Sequence, residues 1–183
     1  FYGEWGETFS QPSVNKIVDK AHELGINFID TAECYGDHLS EFFIGNAIKK
    51  REDWIIATKF GHTYPGFKKP RIPNFTVKAI EEQLENSLKA LKTDYIDFYQ
   101  FHSPTNEEFF NENVWNFLEQ KIKEGKIRHI GISLISSVVQ NDDMFQLNHA
   151  EMANVDMFQI VYNRINKKAE EKILPFCKQH NFG

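Results

Sequence analysis

The feature that most restricts the fold is a rhythm. Five short apolar runs rich in Ile, Val, Phe and Tyr recur along the chain: GINFID, WIIATK, YIDFYQFH, KIRHIGIS and VDMFQIVYN. Segments with helical spacing lie between them, at about 30 residues per unit, the length of a strand–helix–strand crossover. Strands joined by such crossovers run parallel, so the pattern predicts an α/β protein with a parallel sheet. In SVNKIVDKAHELG the apolar residues Val14, Ile17, Val18, Ala21 and Leu24 share one helical face, with Ser13 as the expected N-cap and Gly25 as a left-handed terminator. FTVKAIEEQLENSLKALK repeats the device with Ile80, Leu84, Leu88 and Leu91 behind a Thr76 cap. NVWNFLEQKIKEGK does so with Val114, Phe117, Leu118 and Ile122 ahead of Gly125. In the last segment, Ala169, Ile173, Phe176, Cys177 and His180 form the stripe, and Pro175 predicts a kink or a new turn.

Two architectures satisfy this rhythm. A doubly wound sheet places a Gly-rich phosphate turn after its first strand, and neither GxGxxG nor GxxxxGK[ST] occurs here. A closed barrel of the (β/α)8 TIM type is the better fit. The five runs end at Asp30, Lys59, His102, Ser133 and Asn163. In a parallel barrel all of these converge on the C-terminal rim, where such barrels keep their chemistry. One polar strand end is usually a cap. Five, among them an acid, an amine and an imidazole, point to a site. The insertion GHTYPGFKKPRIPNF, residues 61–75, follows Lys59 directly and has the composition of a loop that could roof that rim.

Asp30, Tyr35, Lys59 and His102 make chemical sense together. A free tyrosine, with a pKa of about 10, is a poor acid near neutrality. An adjacent ammonium favours its phenolate, and a carboxylate beside the lysine keeps that ammonium charged and in place. An imidazole can hold a carbonyl oxygen in line for the phenolic proton. The set suits the reduction of a carbonyl, or the reverse oxidation. It contains no nucleophile and no metal cluster, so the hydride must come from a cofactor.

The motifs GINFIDTAECYG, IIATKFG and DYIDFYQFHSP, in this order, resemble the aldo/keto reductase family, and the likeness continues through KIRHIGIS and FQIVYN. The resemblance implies Tyr35 as general acid/base, Lys59 and Asp30 as the groups that tune it, and His102 as the group that orients the carbonyl. It further implies a nicotinamide cofactor, NADPH with NADH as the alternative, whose carboxamide is held by Ser133 and Gln159. Leu134 departs from the pattern, because an asparagine often grips the carboxamide at that position. The family barrel has eight strands, and the five runs match the second to the sixth. The expectation is a single partial domain over residues 1–183, an incomplete barrel lacking its first strand and its last two βα units, against the roughly 250 residues of a full one.

Composition narrows the classes further. A net charge of −5 and only short basic clusters argue against a nucleic-acid partner. Cys34 and Cys177 are far apart and carry no disulfide or zinc spacing, which fits a reducing, cytoplasmic setting. The other six histidines show no ligand spacing, Cys34 reads as packing, and Trp5 is a candidate pocket residue. No run approaches the ~18 apolar residues of a membrane span. The expected partner is a small carbonyl compound, with no nucleic acid and no membrane; the oligomeric state is not legible. Two other functions compete with the reductase: a regulatory or redox-sensing subunit that binds NADP(H) and turns over slowly, and a metal-dependent hydrolase on a related barrel.

Overall fold

The computed structural model describes residues 8–141, 144–150 and 153–183, so Trp5 lies outside the described residues. The strands are β1 (Phe28–Asp30), β2 (Ile55–Phe60), β3 (His62–Thr63), β4 (Ile72–Pro73), β5 (Ile96–His102), β6 (Ile127–Ser133) and β7 (Met157–Gln159). The α-helices are α1 (Gln11–Glu23), α2 (Leu39–Ala47), α3 (Val77–Leu91), α4 (Asn106–Phe109), α5 (Glu112–Lys123), α6 (Ser136–Gln140), α7 (Phe145–Ala150) and α8 (Ile173–His180). Strands β1-β2-β5-β6-β7 pair in that order, all parallel, and curl into a half-barrel. The segment 61–75 is more than a loop, since β3 and β4 pair within it as an antiparallel hairpin. No helix among the described residues is long and apolar enough to cross a membrane.

The helix ends follow the capping chemistry, with one correction. Ser10, not Ser13, is the N-cap of α1; Ser13 is three residues inside and closes a reciprocal capping box with it. Pro12 then occupies the first turn, where a missing N–H costs nothing. Thr76 caps α3 as expected, accepting from the Ala79 N–H at 3.3 Å. Gly25 and Gly125 have φ of +79° and +78°, the left-handed conformation that ends α1 and α5. Pro175 falls in the first turn of α8 and starts that helix without kinking a longer one. A second correction concerns the last strand. It stops at Gln159, and Asn163 belongs to a turn in which its carboxamide oxygen accepts from the N–H groups of Ile165 and Asn166.

The sheet divides its side chains by parity. Tyr99 and Phe101 of β5 point to the helices: the Tyr99 hydroxyl donates to the Ile80 carbonyl of α3 at 3.4 Å, and Phe101 lies 5.0 Å from Trp115 of α5. Phe60 joins them at 4.6 Å from each ring. The predicted stripe of α3 is buried throughout, but that of α5 is not, because Ile122 is 37% exposed and the buried neighbour is Lys121, paired with Glu124. At the N-terminal end of the strands, buried Asp97 accepts from Arg51, from Arg128 and from the Ile56 N–H, and so ties β2, β5 and β6 together.

Helix α2 can lie against α3 only because of Gly45. A β-carbon there would come within 2.3 Å of the Ala90 carbonyl oxygen and 2.7 Å of the Leu91 backbone. Neither neighbour can yield as a flexible side chain could. Gly45→Ala is therefore expected to destabilise the fold by about 2 kcal/mol in urea unfolding, the usual cost of overpacking; a loss below about 0.5 kcal/mol would show that the two helices are free to separate.

Candidate active site

Register brings the predicted strand ends together. In a parallel ladder, paired residues project to the same side. Asp30 pairs with Ala57, Lys59 with Gln100, His102 with Ser133, and Ser133 with Gln159. Two-residue spacing along β2 and β5 keeps Ala57 with Lys59, and Gln100 with His102, on one face. That face is the concave one, opposite the helices. Asp30, Lys59, His102, Ser133 and Gln159 thus occupy a single surface at the C-terminal rim, while Asn163 does not belong to it.

Lys59 is the centre of this surface. Its side chain is 1% exposed, and its ammonium donates to both oxygens of Asp30 at 2.7 Å and to the Thr31 carbonyl at 2.7 Å. Three acceptors satisfy three N–H donors, as a buried ammonium requires. Gln100 adds a further bond to the carboxylate, its Nε2 donating to Asp30 Oδ1 at 3.2 Å. Gly131 leaves room for that amide, since a β-carbon there would lie 2.8 Å from Gln100 Cγ. The loop after β1 carries Tyr35 back over the strand ends. Lys59 Nζ lies 5.3 Å from the centre of its ring, and His102 meets the ring edge-on with 6.1 Å between centroids.

Burial, with the charges of Lys59 and Arg71 and the nearby His62, pushes the His102 pKa down to about 2, so its imidazole is neutral at any working pH. Just behind it, burial pushes the Glu33 carboxyl up to about 8 and drives the Cys34 thiol up strongly, with Glu33 adding to the latter. Ser133 and Gln159 are half-buried neighbours on the rim. Leu134 turns its side chain into the core, and its N–H donates to the Gln159 carbonyl at 2.9 Å. It therefore offers no side-chain donor at the rim.

Four participants escaped the sequence reading. Gln100 could have been found, because it stands two residues before His102 in YQFH and so shares its face. Arg71 could not: it comes from the hairpin segment, and its guanidinium lies 5.1 Å from the Tyr35 ring centre, bringing that segment over the rim. Glu33 and His62 were also missed, though the Glu33 carboxylate accepts from the His62 N–H at 3.0 Å. His38 is bonded through Nδ1 to Glu41.

A half-barrel of parallel strands with an Asp, a Lys and a His at successive strand ends and a Tyr in the first rim loop defines a class, and comparison agrees with it. The model of the aldo/keto reductase family matches residues 1–183, and the chain belongs to that family. Aldo-keto reductase YhdN of Bacillus subtilis is 37% identical over 180 residues, which make up 96% of this chain and 51% of that protein. The holo form of aldo-keto reductase AKR11C1 from Bacillus halodurans has the same fold with a TM-score of 0.82 at 31% identity, covering 96% of this chain and 57% of that one. An aldo-keto reductase from Klebsiella pneumoniae in complex with NADPH gives a TM-score of 0.75 at 26% identity, over 97% of this chain and 58% of that one. The chain spans about half the length of the curated relatives it matches.

The Lys59–Asp30 pair makes a direct prediction. Asp30→Asn leaves a buried ammonium without its countercharge and is expected to cost about 3 kcal/mol in urea unfolding, the low end for a broken buried pair because Asp30 is 30% exposed. Adding Lys59→Met should restore most of that loss. If the double variant is no more stable than Asp30→Asn alone, the loss does not come from an unpaired buried ammonium.

Proposed function

We propose that this chain carries the proton-transfer centre of an NAD(P)H-dependent reductase of small aldehydes or ketones, with Tyr35 as general acid/base. The observation that carries the reading is the buried Lys59 ammonium, fixed by both oxygens of Asp30 and set beside the Tyr35 ring. A phenol that gives up its proton there leaves a phenolate next to a fixed positive charge, which stabilises it. His102, neutral and beside the same ring, is suited to donate a hydrogen bond to a carbonyl oxygen and is not an acid in its own right.

A nicotinamide cofactor fits the residues present. The Ser133 hydroxyl and Gln159 carboxamide sit side by side on the rim and offer donors and acceptors complementary to a carboxamide. When bound, the cofactor supplies the hydride. The NADPH complex of the Klebsiella relative supports NADPH, with NADH as the alternative. The buried Leu134 favours a second reading, an NADP(H)-binding regulatory subunit with little turnover, since it removes one expected contact to the ring.

The test follows NADPH oxidation by the purified protein with a reactive aromatic aldehyde, beside Tyr35→Phe. The variant is expected to lose turnover by about 10²–10⁴-fold, the scale of a lost general acid, while NADPH affinity by fluorescence stays within about twofold. Turnover that survives the substitution removes Tyr35 from the mechanism. Cofactor binding without any turnover in the unaltered protein favours the regulatory reading.

A further inference from the structure

Behind the His102 ring the fold assembles a set of donors that, His102 itself apart, the reductase chemistry does not use. Glu33, Cys34, His62 and His102 each present one ligand atom, and these four atoms all lie within 4.8 Å of one another. Cys34 Sγ stands 3.6 Å from His102 Nδ1. The His62 and His102 rings are 4.5 Å apart between centroids, nearly perpendicular. Two atoms on these residues are buried with no hydrogen-bond partner among the described residues: Glu33 Oε2, on a residue 2% exposed, and His62 Nδ1. Buried polar atoms without a partner are rare and costly, and a ligand that engages both at once explains them.

We propose that Glu33, Cys34, His62 and His102 form a zinc-binding site on the inner side of the catalytic imidazole. One thiolate, two imidazoles and one carboxylate are the donor types that Zn²⁺ takes in four-coordinate sites. At zinc–ligand bond lengths a tetrahedral site separates sulfur from nitrogen by about 3.6 Å, which is the Cys34–His102 spacing already present. The thiolate and carboxylate together neutralise the dication, so its burial leaves no unpaired charge. On binding, zinc takes the place of the Cys34 thiol proton and of the Glu33 carboxyl proton, both of which pass to the buffer, and no electrons are exchanged. Access exists as well: a cavity of about 180 Å³ has Glu33, Cys34 and His62 in its wall, together with Asp37, His38 and Glu82.

Binding does not depend on carbonyl reduction, so this proposal and the reductase reading can fail separately. The protein is stripped with EDTA, dialysed, and titrated with ZnCl₂ by calorimetry and with Co²⁺ by absorbance. One Zn²⁺ per chain is expected, with a cobalt spectrum that combines tetrahedral visible bands and a thiolate charge-transfer band. Cys34→Ser and His62→Ala should each weaken zinc binding by at least the ~10–100-fold that loss of even an outer-shell partner costs. His149→Ala, outside the cluster, should bind as the unaltered protein does. Circular dichroism checks each variant, and the cobalt spectrum of the unaltered protein decides the matter even if Cys34→Ser does not fold. No saturable binding at one ion per chain, a cobalt complex without the thiolate band, or full affinity in a folded His62→Ala protein overturns the site.

Discussion

The structure depends on one buried charge. An ammonium that is 1% exposed is tolerable only if its hydrogens are satisfied and its charge is matched nearby. Lys59 meets both conditions with groups from the preceding unit, the Asp30 carboxylate and the Thr31 carbonyl. The three-residue β1 is thereby held at its C-terminal end by more than its ladder to β2. The loop that follows, with Tyr35 in it, starts from a fixed point. The interaction on which the proposed proton-transfer centre rests also orders the edge of the sheet, so the proposed chemistry and local stability would be coupled through the same two side chains.

The neighbours of that pair show how little freedom the face has. Gln100 reaches Asp30 because Gly131 lacks a side chain, and Gly131 pairs in register with both Gln100 and Met157. A residue on the fourth strand of the sheet thus sets the position of an amide that supports a carboxylate on the first. Such long-range dependence is natural in a curled sheet, where side chains of one layer meet across the concave face.

What the sequence disclosed, and what it withheld, follows from the range of the forces involved. Five strands, their parallel order and the caps at Thr76, Gly25 and Gly125 are local events, written in period, branching and turn chemistry. The rim placement of Asp30, Lys59, His102 and Ser133 needed one further rule, that parallel strands share a direction. Failures came where a local signal had two solutions. Ser10 and Ser13 both suit a cap, and the box they form uses both. The run VDMFQIVYN stays apolar past Gln159, so composition could not end β7 there. Helix α2 escaped notice because LSEFFIGNA lacks a clean stripe, and its close fit to α3 rests on Gly45, a tertiary fact. The grouping of Glu33, Cys34, His62 and His102 lies beyond any spacing rule, since its members come from three separate segments.

The neutrality of His102 divides the labour at the rim. Burial disfavours a positive charge on this ring, and the nearby His62, Lys59 and Arg71 disfavour it further, so the ring stays uncharged. A neutral imidazole has one nitrogen that donates and one that accepts. In the proposed reaction the donor serves the carbonyl, and the proton that completes the alcohol comes from Tyr35, the group whose conjugate base the ammonium stabilises. The other nitrogen is left with a lone pair and no charge, which is the state in which imidazole binds metal. Its neutral state, which makes His102 unfit as an acid, is also the state of an imidazole ligand, and in the proposed zinc site the same ring would face a substrate on one side and the ion on the other.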